Sequence, residues 1–148
     1  MQRRRRLTGW IVPLFLMIGV GVLGAMRGAR TGGDIVWASS FEAGVKQARE
    51  SGKPLLISFH TPGCGWCRKL DAETFTDAKV LELSRRYVCV RADSDVDEDV
   101  VRRFRVLEYP MTLILSPKGT EIARFPGYVP PALFAKTMAK LLPEATKH

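Results

Sequence analysis

The chain has 148 residues, 46% hydrophobic and 26% charged, with a formal net charge of +8. That length holds one small domain with an appendage, the apolar content excludes wholesale disorder, and three cysteines are too few for a disulfide-stapled scaffold. Arg3, Arg4, Arg5, Arg6, Arg27 and Arg30 lie in residues 1–30 with no acid, leaving 17 basic against 15 acidic residues in the rest. The basic bias therefore belongs to the N-terminal segment, and the remainder lacks the electrostatic footprint of a nucleic-acid binder.

Leu7 to Met26 is a run of 20 residues without a charge. At about 1.5 Å per residue a helix of this length spans about 30 Å, the hydrocarbon thickness of a bilayer. Trp10 sits near one end, where an indole keeps its N–H among headgroups. A cleavable signal would need small residues at −3 and −1, and Leu23-Gly24-Ala25 puts Leu at −3. An uncleaved anchor over residues 7–26 is the favoured reading. Four arginines precede it and two follow, so residues 1–6 form a basic cytoplasmic tail and the rest lies across the membrane. Residues 27–35 read as a flexible tether, and 36–145 as the folded domain. The expected location is the cytoplasmic (inner) membrane, single pass, with the domain facing the periplasm or exterior.

The domain alternates helix and strand. Ser39 and Glu42 form a capping-box pattern ahead of a helix with Phe41, Val45 and Ala48 on one face, stopped by Gly52. Leu55–Phe59 is a buried-strand run. Helical stretches follow from Cys64 to about Glu73 and from Asp77 to Arg86, then a second strand, Tyr87–Ala92. The acidic loop Asp93–Asp97 leads into a helix ending near Arg105. Met111–Leu115 is a third strand, and the turn Ser116-Pro117-Lys118-Gly119 leads to a fourth, Glu121–Phe125. Pro130-Pro131 opens the last helix. The pattern is α/β, with enough residues for one real core.

The chemistry concentrates in Cys64-Gly65-Trp66-Cys67. Two cysteines at this spacing can close a disulfide within one turn. Where that turn opens a helix, the first sulfur meets unpaired N–H groups, which stabilise its thiolate and bring its pKa below the free value of about 8.5. The second, deeper thiol can attack the mixed disulfide formed by the first. Zinc needs about four ligands. Only Cys89, His60 and His148 remain, in no metal-like spacing, so no metal or cofactor is expected. Cys89, in a Val/Tyr strand run, reads as structural. Trp66 reads as a substrate-facing surface.

Residues 37–142 resemble the thioredoxin superfamily. They are most similar to thioredoxin-like proteins related to the C-terminal domain of bacterial transmembrane thiol–disulfide interchange reductants. The stretches that carry the likeness are KPLLISFHTPGCGWCRKLDAETF, YPMTLIL, SPKG and FPGYV. The resemblance implies a thioredoxin-like fold, a central mixed sheet of four to five strands flanked by helices, here preceded by one transmembrane helix. It implies a cis bond before Pro110 and a substrate groove in which the Tyr109 backbone pairs with an extended segment. Cys64 would be nucleophile and Cys67 the resolving thiol.

The sequence departs from the family in places. The acidic residue that thioredoxins bury six positions before the first cysteine is Ser58 here. Asp71, four residues after Cys67, is a candidate replacement as proton acceptor, and relatives carry a carboxylate there. Gly63 stands where thioredoxins have tryptophan, and His60 replaces an aromatic residue, where it could tune a thiolate. The expected function is a thiol–disulfide oxidoreductase acting on protein thiols or disulfides, more as reductant than oxidant, supplied by a membrane electron donor. The alternatives are a binding module without redox turnover and a metal-handling protein.

Overall fold

The computed structural model describes residues 33–146. The expected tail and anchor, and most of the tether, lie outside the described residues. Among the described residues no helix is long and apolar enough to cross a membrane.

The strands are β1 (Leu55–His60), β2 (Val88–Asp93), β3 (Met111–Leu115) and β4 (Glu121–Pro126). They form one four-stranded sheet in the order β2-β1-β3-β4. β1 pairs parallel with β2 and antiparallel with β3, and β4 is antiparallel to β3. The β3–β4 register shifts between Ile114 and Leu115, and Arg124 donates to the Glu121 carboxylate at 2.8–2.9 Å. Trp37 adds a single parallel bridge to Cys89 on the outer side of β2.

The helices are α1 (Phe41–Ser51), α2 (Gly65–Lys69), α3 (Ala78–Ser84), α4 (Glu98–Arg103) and α5 (Pro131–Ala145). Side chains alternate across the strands, so each face builds its own core. Leu56, Cys89 and Ile114 meet Leu70, Val80, Phe134 and Met138 on one side. Leu55, Ile57, Phe59, Val90 and Leu113 meet Phe41 and Ala48 of α1 and Val100 of α4 on the other. β3 is buried along its whole length, which explains its apolar character, broken only by Thr112.

Local differences from the expected pattern have clear causes. The N-cap of α1 is Ser40, whose Oγ accepts from the Ala43 N–H at 3.1 Å, so Ser39 and Glu42 form no capping box. Tyr87 precedes β2: its N–H donates to the Ser84 carbonyl, and its hydroxyl donates to the Met138 carbonyl. The helix after Cys64 changes pitch. Leu70–Thr74 is a π turn, closed by the Phe75 N–H on the Leu70 carbonyl at 3.1 Å. The wider turn accompanies burial of Leu70, Thr74 and Phe75 together.

Gly44 marks the closest approach of α1 to the sheet. A Cβ there would stand 2.2 Å from the Cγ2 of fully buried Val90. Alanine is the better helix former by about 1 kcal/mol. Overpacking against a stiff valine costs about 1–3 kcal/mol and should win. Gly44→Ala is therefore expected to lower the urea midpoint; an unchanged or higher midpoint would show that α1 shifts freely.

Candidate active site

The polarity of the strands assembles the site. β1 ends at His60, and the chain turns through Thr61–Gly63, with Gly63 at φ 76°, into α2. β3 runs the opposite way, and Phe59 pairs with Met111, so Pro110 stands beside the end of β1. The Tyr109–Pro110 peptide is cis. The Gly127 N–H donates to the Pro110 carbonyl at 2.8 Å and ties the segment after β4 to the same edge.

Cys64 is the N-cap of α2. Its Sγ accepts from the Cys67 N–H at 3.0 Å, one of the donors a helix start leaves unpaired. Cys64 and Cys67 are disulfide-bonded, with Cα atoms 5.3 Å apart. Cys64 is half-buried, whereas Cys67 is 6% exposed and lies inside the turn. Access therefore falls to the first sulfur. After reduction, the N–H that now meets Cys64 Sγ is placed to stabilise a thiolate there.

Trp66, at 58% exposed, projects from the motif rather than into the core. Its ring centroid lies 6.0 Å from that of Tyr128. The Lys69 ammonium sits over both rings, 5.2 Å and 4.7 Å from their centroids. The Tyr128 hydroxyl donates to Glu73 Oε2 at 2.5 Å, and that bond pushes the phenol above its ordinary pKa. Tyr109 is half-buried and packs against the α1 and α4 side of the core.

His60 Nδ1 lies 3.6 Å from Asp93 Oδ2, its cross-strand neighbour. The His60 carbonyl accepts from the Ser94 N–H, which anchors the acidic loop beside the site. Asp71 is drawn to the sheet edge, where the Arg91 Nη2 donates to its Oδ1 at 2.7 Å. Arg91 in turn stacks over the Trp37 ring at 4.5 Å. Arg91 is the cross-strand neighbour of buried Ser58. Ser58, standing where the resemblance calls for a buried acid, is thus flanked by a cation, and a carboxylate approaches that cation from the helix.

Arg91, Lys69, Glu73 and Tyr128 are not among the residues the sequence singles out. Arg91 does carry a visible signal, a lone charge in an apolar strand run, two residues from Cys89 on the same face. The contact of Lys69 and Trp66 with Tyr128 carries none, because it depends on how the segment after β4 returns. Among the described residues no group of three or more His, Cys, Asp or Glu side chains could hold a metal ion.

With the geometry in place, the class is defined: the chain belongs to the family described as thioredoxin-like domain, which its residues 41–142 match. Over 87 residues it is 26% identical to the thiol:disulfide interchange protein DsbD of Ralstonia nicotianae, covering 56% of this chain and 14% of that protein. The chain thus spans only a small part of that relative's length. A thioredoxin from Thermus thermophilus superposes with a TM-score of 0.67 at 24% identity, covering 74% of this chain and 88% of that one. The oxidised C-terminal domain of DsbD from Neisseria meningitidis gives 0.59 at 16% identity, covering 67% and 90%. These two structures bear on the fold.

Cys89 stands apart from this chemistry. It pairs with Leu56 near the opposite end of the strands, is 3% exposed, and lies 3.8 Å from the Ser84 carbonyl. Burial pushes its thiol up to about 12 from an ordinary 9.0. Folding therefore favours the protonated form. Its contribution is fully present below pH 9.0 and is lost as pH rises toward about 12, because the unfolded thiol ionises first. Stability should fall as pH rises from 9 to 11, and Cys89→Ala should flatten that fall. Chemical denaturation at stepped pH measures it; equal slopes would show that Cys89 ionises as readily folded as unfolded.

Proposed function

We propose that the protein is a membrane-anchored thiol–disulfide oxidoreductase whose domain lies outside the cytoplasm and reduces disulfides in polypeptides. One observation carries the redox reading: Cys64 caps a helix start and is disulfide-bonded to buried Cys67, at the sheet edge where Pro110 precedes β3. The membrane placement rests on the uncharged run of residues 7–26 and its arginine asymmetry. The name of the DsbD relative, a thiol:disulfide interchange protein, supports it.

In the proposed cycle the reduced Cys64 thiolate attacks one sulfur of a substrate disulfide. A Cys64–substrate bond forms, the substrate S–S bond breaks, and the departing thiolate takes a proton. Cys67 then loses its proton and attacks Cys64 Sγ. The chain disulfide closes and the second substrate thiol leaves. Two electrons and two protons pass to the substrate, and a membrane-bound dithiol donor restores the chain. Pro110 and the Tyr109 backbone border the groove for the extended substrate, and Trp66 forms its outer wall. In this scheme Asp71 accepts the Cys67 proton, with Arg91 as its counter-ion, and His60 tunes the approach to Cys64.

Cys64→Ser should abolish exchange, and Cys67→Ser should accumulate mixed disulfides through Cys64, read by mass spectrometry of trapped adducts. Adducts on Cys67 in the Cys64→Ser variant at comparable yield would reverse the roles. General-base assistance is typically worth about 10²–10⁴-fold. Asp71→Asn should therefore slow resolution visibly in stopped-flow while sparing the first attack. Equal resolution rates across pH 6–8 would leave Asp71 with the Arg91 ion pair alone.

The anchor is tested separately. Reporter fusions after His148 should be active outside the cytoplasm, and the chain should stay with membranes after alkaline washing. A soluble form beginning just after Ala25 would instead identify residues 1–25 as a cleaved signal.

A further inference from the structure

The surface beside the disulfide has a composition of its own. Trp66 and Tyr128 present two rings, and Lys69 lies over both, so its ammonium is held rather than swinging on a free stem. Glu73 lies four residues after Lys69 on the same helical run, the spacing of a helix ion pair. Its carboxylate instead accepts from the Tyr128 hydroxyl, which braces the second ring. Among the described residues neither Lys69 nor the adjacent Arg68 forms an ion pair. The Arg68 guanidinium leans back over the motif, close enough that a Cβ on Gly65 would stand 3.8 Å from its Nη2.

This surface is continuous with the reactive edge. Trp66 lies between the two cysteines, and Tyr128 follows Gly127, which is bonded to the Pro110 carbonyl. An extended polypeptide advances about 3.3 Å per residue. Side chains a few residues from its reacting cysteine are therefore the ones that can reach the two rings and the ammonium.

We infer that Lys69, held on Trp66 and Tyr128, selects substrates carrying an acidic side chain within a few residues of the reacting cysteine. This rests on the reading of the chain as an oxidoreductase of polypeptide disulfides and names the class of substrate it prefers. The chemistry follows from the donors. An ammonium offers three N–H groups and no acceptor. The ring faces satisfy it electrostatically on one side only. A carboxylate supplies the acceptors for the other side, and its partner is already ordered, so little side-chain freedom remains to be lost. A lysine in the same place on the substrate would meet the Lys69 ammonium and be repelled.

The test uses the purified full-length chain and three disulfide-bonded peptides alike except for Glu, Gln or Lys at the positions flanking the cysteine. Hydroxyethyl disulfide serves as an uncharged reference. Each variant is first reduced and freed of reductant, then read as a ratio of single-turnover second-order rate constants between peptides, so a general loss of activity cancels. The wild type should favour the Glu over the Lys peptide by about fivefold at low salt, as for an exposed ion pair set against a like-charge contact, and less at high salt. Lys69→Gln should bring the ratio close to one, and Lys69→Glu should invert it. Tyr128→Leu keeps the charge, removes one ring, and should fall between wild type and Lys69→Gln. Equal rates for the three peptides in the wild type, or a ratio that survives Lys69→Gln, would overturn the inference while leaving the oxidoreductase reading intact. Turnover of neither the peptides nor hydroxyethyl disulfide would overturn both.

Discussion

The site depends on the opposed directions of β1 and β3. β1 must deliver the CxxC loop at its C-terminal end, and β3 must begin at that same edge for Pro110 to stand beside it. Antiparallel pairing of two central strands, buried throughout but for His60 at the end of β1, secures this. The pairing is locked from both faces by apolar side chains, since a one-residue slip would turn each set toward the wrong core. Gly127, the aromatic pair and α2 then follow from where those two strands end.

Within that frame the two cysteines differ through local geometry alone. One residue caps the helix and the other lies within its first turn. The cap position makes Cys64 the accessible sulfur and brings an N–H to it; the interior position hides Cys67. The same helical run, widened at Leu70–Thr74, carries Asp71 to Arg91 at one side and Glu73 to Tyr128 at the other. The two acids thus brace opposite flanks of the motif.

Much of this is legible in the amino-acid sequence. Three of the strands are readable because they are short, mostly apolar runs, and the fourth because it follows a turn; their observed bounds lie within a residue of the expected ones. The cysteine pair is readable because its spacing has few other uses. The rest needs three dimensions. Either serine of Ser39-Ser40 can cap a helix, the pairing with Glu42 favours Ser39, and only the chain's entry into α1 selects Ser40. The π turn depends on Leu70, Thr74 and Phe75 all finding buried sites, which no local period encodes. Asp71 stands out by its distance from Cys67 along a helix, but Arg91, on a strand far away in sequence, decides where its carboxylate goes.

The sheet leaves its two borders in different conditions. The outer side of β2 is partly covered by the Trp37 bridge, whereas β4 has no further strand beside it among the described residues. An open border of this kind invites a second chain to add its own strand, the first step of aggregation. β4 carries the features that discourage it: the register irregularity opposite β3, the charged pair Glu121–Arg124, and Pro126 at its end. Among the described residues β4 is thus the open border, and it is there that charge and irregular backbone discourage pairing between copies.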